Sequence, residues 1–169
     1  MHLLLSIILI SVCFFQKAWQ KIHHYHLTIM YVIICDLLYN LLCRDKFLWK
    51  YKPDIFQDYP IIVDLLHSFI NLPAITLLYL SNYPINRSFS KQGKYILQWI
   101  VGSLLIESLF LCFNRIELIN GYKAWMEILF YTVMYLMLRL HHNRPLISYF
   151  LSTVVIIFLL LVFKIPLKS

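Results

Sequence analysis

Apolar residues gather into six runs, at 1–19, 26–43, 60–80, 95–113, 122–140 and 146–163, with short polar stretches between them. A helix needs about 20 apolar residues to cross a bilayer. The pattern therefore predicts an all-α polytopic membrane protein: one bundle of six transmembrane helices in a single domain over residues 1–169. The first run is the weakest. Met1–Phe15 alone reaches about 22 Å at helical rise, and extension to Trp19, with Lys17 snorkelling, brings it near the ~30 Å of hydrocarbon. No basic stretch precedes this run and no small-residue cleavage site follows it. The expectation is an uncleaved first span with its amino terminus translocated. After it comes a basic, histidine-rich connector, Gln16–Tyr25. The longest loop, 44–59, carries Trp49 and Tyr51 as expected interface anchors. Asp58 ahead of Pro60 predicts a capped helix start, and Pro73 predicts a kink inside the third run.

Composition agrees with this pattern. The chain is 61% hydrophobic and only 14% charged, whereas soluble domains carry about a quarter charged residues. A net charge of +7 could suggest nucleic acid. Here the basic residues are scattered between apolar runs and form no patch, so nucleic acid is excluded as a partner. The lipid bilayer is the partner implied, with other membrane proteins as an open second. The four cysteines, Cys13, Cys35, Cys43 and Cys112, have no CxxC spacing and read as small apolar fillers. No HExxH, GxSxG or phosphate-binding loop occurs, so the residues point to no enzyme and to no cofactor.

Orientation is nearly balanced. With six spans, loops 44–59 and 114–121 share one side with the termini. Counted over the loops and the tail, rim residues Lys17 and Arg139 included, that side and the opposite one each hold seven Lys or Arg. The lysines that follow the first run favour the opposite side, with loops 16–25, 81–94 and 139–145, as cytoplasmic.

The candidate chemistry is acidic. Four of the eight acidic residues fall inside runs two to five: Asp36, Asp64, Glu107 and Glu127. Counted along alternating helices, all four lie roughly 6–10 Å below the same membrane face. Asn40 and His67 fall in the same slab, and Asp64, His67 and Asn71 share one helix face at i, i+3 and i+7. Like charges crowded in low dielectric cannot all stay ionised, so such a layer holds protons or recruits a cation. One function that follows is binding or transport of a proton, cation or small cationic solute, with Asp64 and His67 as the exchangeable centre. The alternative is a non-catalytic subunit or scaffold. Arg44 stands eight residues after Asp36, and Arg115 eight after Glu107, so each arginine could fold back and pair with its acid. Two histidine groups, His23, His24 and His26 with His141 and His142, suit zinc or copper if their loops meet. They suit amphipathic helix ends equally well.

Several short segments carry a family likeness: Asp36-Leu37-Leu38-Tyr39-Asn40-Leu41-Leu42, Leu48-Trp49, Leu78-Tyr79, Leu138-Arg139-Leu140-His141 and Phe163-Lys164-Ile165-Pro166. Through them the chain resembles an uncharacterised family of small multi-spanning membrane proteins of spore-forming bacilli and clostridia. The resemblance implies a multi-pass protein of the bacterial cytoplasmic membrane. It brings no activity and no functional residue.

Overall fold

A computed structural model describes residues 1–55 and 59–166. The chain is mostly helical, in six columns. The first is α1, His2–Phe15. Lys17 then takes a left-handed conformation (φ 53°) and reverses the chain, and the second column begins at once as a 3-10 turn, Ala18–Lys21, running into α2, Ile22–Leu42. The expected loop 16–25 is therefore a tight turn. Trp19 and the histidines at 23, 24 and 26 belong to the second column, because nothing in KAWQKIHHYH breaks a helix after the turn. The third column is α3, Pro60–Leu66, a π-helical turn at His67–Asn71, and α4, Leu72–Ser81. The last three are α5, Phe89–Cys112, α6, Met126–Asn143, and α7, Pro145–Val162. The helix start expected at Asp58 lies outside the described residues.

Four columns, Ala18–Leu42, Pro60–Ser81, Phe89–Cys112 and Pro145–Val162, are long and apolar enough to cross a membrane. The other two are not: α1 is apolar but has 14 residues, and α6 carries Glu127, Arg139, His141 and His142. The four long helices are compatible with a membrane protein. Their outward faces are oily, including Leu105, Leu109, Phe150, Phe158 and Leu161.

The columns run alternately up and down. His2, Ser6 and Cys13 meet His67, Asn71 and Ala74 in order, so α1 is parallel to the third column. Tyr25 reaches the Leu80 carbonyl while Asp36 meets Ser68, so α2 is antiparallel to it. The core between them is aromatic. Tyr79 and Tyr135 are fully buried, and Tyr83, Tyr95 and Trp99 pack around Tyr79 with ring centroids 5.7–5.8 Å away. Two of these tyrosine hydroxyls donate to backbone: Tyr79 to the Tyr135 carbonyl (3.1 Å) and Tyr95 to the Tyr79 carbonyl (2.8 Å).

One element was not legible as structure in the sequence. Segments 44–59 and 114–121 pair as a small antiparallel sheet, β1 at Trp49–Tyr51 and β2 at Ile116–Leu118, with Tyr51 opposite Ile116. It caps the end of the bundle where α2 and α5 finish and α3 and α6 begin.

Candidate functional site

The site is built around the π-helical turn in the third column. Pro73 has no N–H, and its ring crowds the carbonyl four residues earlier. The helix relieves this by widening over His67–Asn71 ahead of the proline, in place of the simple kink expected there. The wider turn splits the polar stripe. His67 and Asn71 face α1, and Ser68 faces α2.

Towards α1 the side chains form one directional chain of hydrogen bonds. The Lys52 carbonyl can only accept, so it takes the Nε2 proton of His2 at 3.0 Å. His2 Nδ1 must then accept, from His67 Nε2 at 2.9 Å. His67 Nδ1 in turn accepts from the Asn71 amide at 3.2 Å, and Asn71 Oδ1 accepts from Ser6 Oγ at 2.7 Å. All four residues are buried. Both imidazoles are thereby assigned as neutral Nε2–H tautomers. Tyr51 of β1 stacks flat on His67, with centroids 4.0 Å apart and planes 5° from parallel. His67 spends both ring nitrogens inside this chain, so it does not form a centre with Asp64. His2 and Ser6 were missed in the sequence because they sit in an apolar run. Their i, i+4 spacing was the one available signal.

Towards α2, Asp36 Oδ2 accepts from Ser68 Oγ at 2.5 Å and from Asn40 Nδ2 at 3.4 Å. Asp36, Asn40 and Asp64 line a small open cleft of about 30 Å³ under β1, with Tyr39, Trp49, Lys50 and Tyr51. Tyr39 holds the strand down. Its hydroxyl accepts the N–H groups of Leu48 (3.0 Å) and Trp49 (3.1 Å), and its ring stacks on Trp49 with centroids 3.9 Å apart. Trp49 and Tyr51 are thus strand residues packed on helices, whereas anchors in a membrane interface were expected.

The remaining two acids meet each other. Glu107 of α5 and Glu127 of α6 are 7% and 5% exposed. Their carboxyls lie side by side, with the Tyr131 hydroxyl next to Glu107 and the Tyr122 hydroxyl next to Glu127. Glu107 Oε2 is buried without a hydrogen-bond partner among the described residues.

Tyr51 connects the two halves. Burial pushes its hydroxyl well above the usual phenol range, and Asp36, Glu107, Asp64 and Glu127 each push it the same way. All four acids are therefore within electrostatic reach of one side chain at the sheet end of the bundle.

The arginine pairings do not form. Arg44 makes an exposed contact with Asp45 at 3.8 Å. The physical reason is that α2 ends at Leu42, so Arg44 no longer shares a helical stripe with Asp36. Arg115 lies beyond a left-handed turn at Asn114 (φ 55°) that leads the chain from α5 into β2, and its Nε is buried with no partner among the described residues. The other ion pairs of the described residues join the Met1 amine to Asp54 and Lys52 to Glu117. None involves Asp36, Asp64, Glu107 or Glu127.

The histidines at the far end meet only in part. His24 packs against His142 with centroids 4.9 Å apart, while His26 turns back to the His23 carbonyl at 2.7 Å. His141 is taken up by Thr28 Oγ1 (3.0 Å) and the Tyr149 hydroxyl (3.1 Å). Among the described residues no three His, Cys, Asp or Glu are grouped to hold a metal. The zinc or copper expectation fails because His24, which meets His142, falls on the face of α2 opposite His26, and His141 is committed to Thr28 and Tyr149. All four cysteines are free.

Compared with protein-family models, curated proteins and solved structures, the chain matches none.

Proposed function

We propose that the chain is a six-span integral membrane protein, of the bacterial cytoplasmic membrane by the resemblance noted above, that binds or transports a proton, cation or small cationic solute through its acidic layer. On this reading α1 and α6 also cross the bilayer, turning exposed apolar faces such as Leu4, Ile7 and Phe14 or Ile128, Leu129 and Leu136 towards lipid. Their polar residues face protein: His2 and Ser6 of α1 meet the third column, and Glu127 of α6 meets α5.

One observation carries the reading. Four helices each bring one carboxyl group, Asp36, Asp64, Glu107 and Glu127, and among the described residues no lysine, arginine or histidine forms an ion pair with any of them. Acids serving only as internal glue would be matched by cations, since an uncompensated buried charge costs several kcal/mol. A layer without such matching neutralises itself by taking up a proton or an external cation.

The test is thermal unfolding of the full chain in detergent, across pH and across monovalent salts, for the wild type, Glu127→Gln and Asp64→Asn. The reading expects cation- or pH-dependent stabilisation in the wild type and its loss in both variants, with expression and monodispersity intact. A wild type insensitive to both variables overturns it. So do variants that unfold outright, which would make the acids structural and favour the scaffold alternative. Glu107→Gln provides an independent third variant.

A further inference from the structure

We propose that the outer face of α5 binds an anionic phospholipid: Lys91 and Lys94 hold its phosphate, Gln98 its glycerol ester, and the apolar residues below them its acyl chains. The proposal depends on the chain spanning a bilayer and not on what the acidic layer binds. Lys91, Lys94, Gln98, Val101, Leu105 and Leu109 fall at i, i+3, i+7, i+10, i+14 and i+18, so they share one face of α5. All six are exposed, Val101 to 46%, Leu105 to 63% and Leu109 to 55%. From Lys94 to Cys112 the helix rises about 27 Å, close to the ~30 Å thickness of the hydrocarbon. With the apolar part of the stripe among acyl chains, the two lysines stand at headgroup level. Helical side chains lean towards the N-terminus, so both lysines and Gln98 reach up to that level.

Gln98 points to a ligand independently of the charges. Among the described residues, α5 makes its side-chain hydrogen bonds through Gln92, Tyr95, Ser103 and Ser108, and none through Gln98. Its amide lies on the oily face next to Leu97, which is 58% exposed. An amide in that position is unfavourable unless something in the bilayer bonds to it. It sits about 6 Å below Lys94, and the ester carbonyls of a phospholipid lie just under its phosphate. They accept the N–H groups that the protein leaves unpaired.

Charge selects the kind of lipid. Residues 65–106 contain no acid, and neither lysine forms an ion pair among the described residues. Arg87, exposed just ahead of the helix, adds a third cation. A zwitterionic headgroup carries a cation of its own, which this group repels, whereas an anionic one does not. The same end of the bundle is the one expected to face the cytoplasm, the leaflet where anionic lipids gather. A second copy of the chain fits less well, because packing on the same stripe side by side would set lysine against lysine.

The experiment is thermal unfolding of the full chain in detergent at fixed pH and salt, with phosphatidylglycerol or phosphatidylcholine of the same acyl chains added. At tenfold its apparent Kd, phosphatidylglycerol should raise Tm by about 3–6 °C, and phosphatidylcholine should bind at least about tenfold more weakly. Lys91→Gln with Lys94→Gln, at exposed positions and with a good helix former, should weaken phosphatidylglycerol by about 20–30-fold, roughly fivefold per lysine. Gln98→Leu should weaken it by about fivefold and leave the preference for the anionic lipid intact. Equal stabilisation by the two lipids, which the wild type alone can show, overturns the proposal, as does an unchanged preference in the double variant. Glycerol phosphate acting as strongly as the whole lipid would make this a site for a free anion. A dimer that Gln98→Leu dissociates would make the stripe a contact between copies. Either result also overturns the lipid assignment. Because pH and cations are held fixed, the outcome is separate from that of the acidic layer.

Discussion

Tyr39→Phe removes one oxygen and leaves the ring stack on Trp49 intact, which makes it a clean probe of what holds the strand over the cleft. In the register of the sheet, Ile119 donates to the Leu48 carbonyl and Lys52 to the Arg115 carbonyl. The ladder bonds therefore fall on 48, 50 and 52, and the Trp49 N–H points away from β2, towards α2. The Tyr39 hydroxyl is the partner of that N–H and of the buried Leu48 N–H. Each bond contributes about 1 kcal/mol net, and a stranded buried donor costs about 1–3 kcal/mol. Leu48 is buried, so water cannot replace the partner lost there, and the total comes to about 2–4 kcal/mol. For a chain of this size that lowers Tm by about 5–10 °C. Hydrogen exchange read by mass spectrometry over 47–51 should show faster exchange at these amides while α4 and α5 keep their protection. A Tm within about 1 °C of wild type, with the amides equally protected, would refute the claim that Tyr39 pins the strand.

Two further substitutions test the chain of imidazoles and the hub. His67→Ala strands His2 Nδ1 and the Asn71 amide, removes the stack on Tyr51 and opens a cavity, for an expected loss of about 3–5 kcal/mol in chemical denaturation. A loss below about 1 kcal/mol would mean that the chain is not a structural tie. Tyr51 bears on alkaline stability. Its hydroxyl titrates higher in the folded protein than in the unfolded one, so its contribution is intact below the ordinary phenol value of 10.0 and is lost as pH rises beyond it. Tyr51→Phe keeps the ring on His67 and should make the alkaline arm shallower by up to about 1.4 kcal/mol per pH unit. Parallel alkaline arms for the two proteins would exclude Tyr51 as a buried titrating group.

The helical columns were legible from hydropathy alone, because a helix long enough for a bilayer is written as a continuous apolar run. The pairing of Glu107 with Glu127 was not legible, because residue counts along single helices do not say which two faces meet. Nor were other partners. The arginines at i+8 fit an ideal helix, but chain termination at Leu42 and the turn at Asn114 lie between each arginine and its acid, and only the fold reveals where a helix stops. The histidines at 23, 24 and 26 looked like a loop cluster until the turn at Lys17 placed them on a helix.

By itself, then, the sequence determined which segments would be apolar helices and which of them would carry an acid. Those are local properties, set by residue type and periodicity. The tertiary structure decided which side chains meet. Tyr51 lies flat on His67 because two loops far apart in the chain pair as strands, and His2 finds His67 because α1 runs parallel to a column sixty-five positions further on. Contacts of that separation depend on how helices pack and where their ends turn, and no pattern along a single segment encodes them.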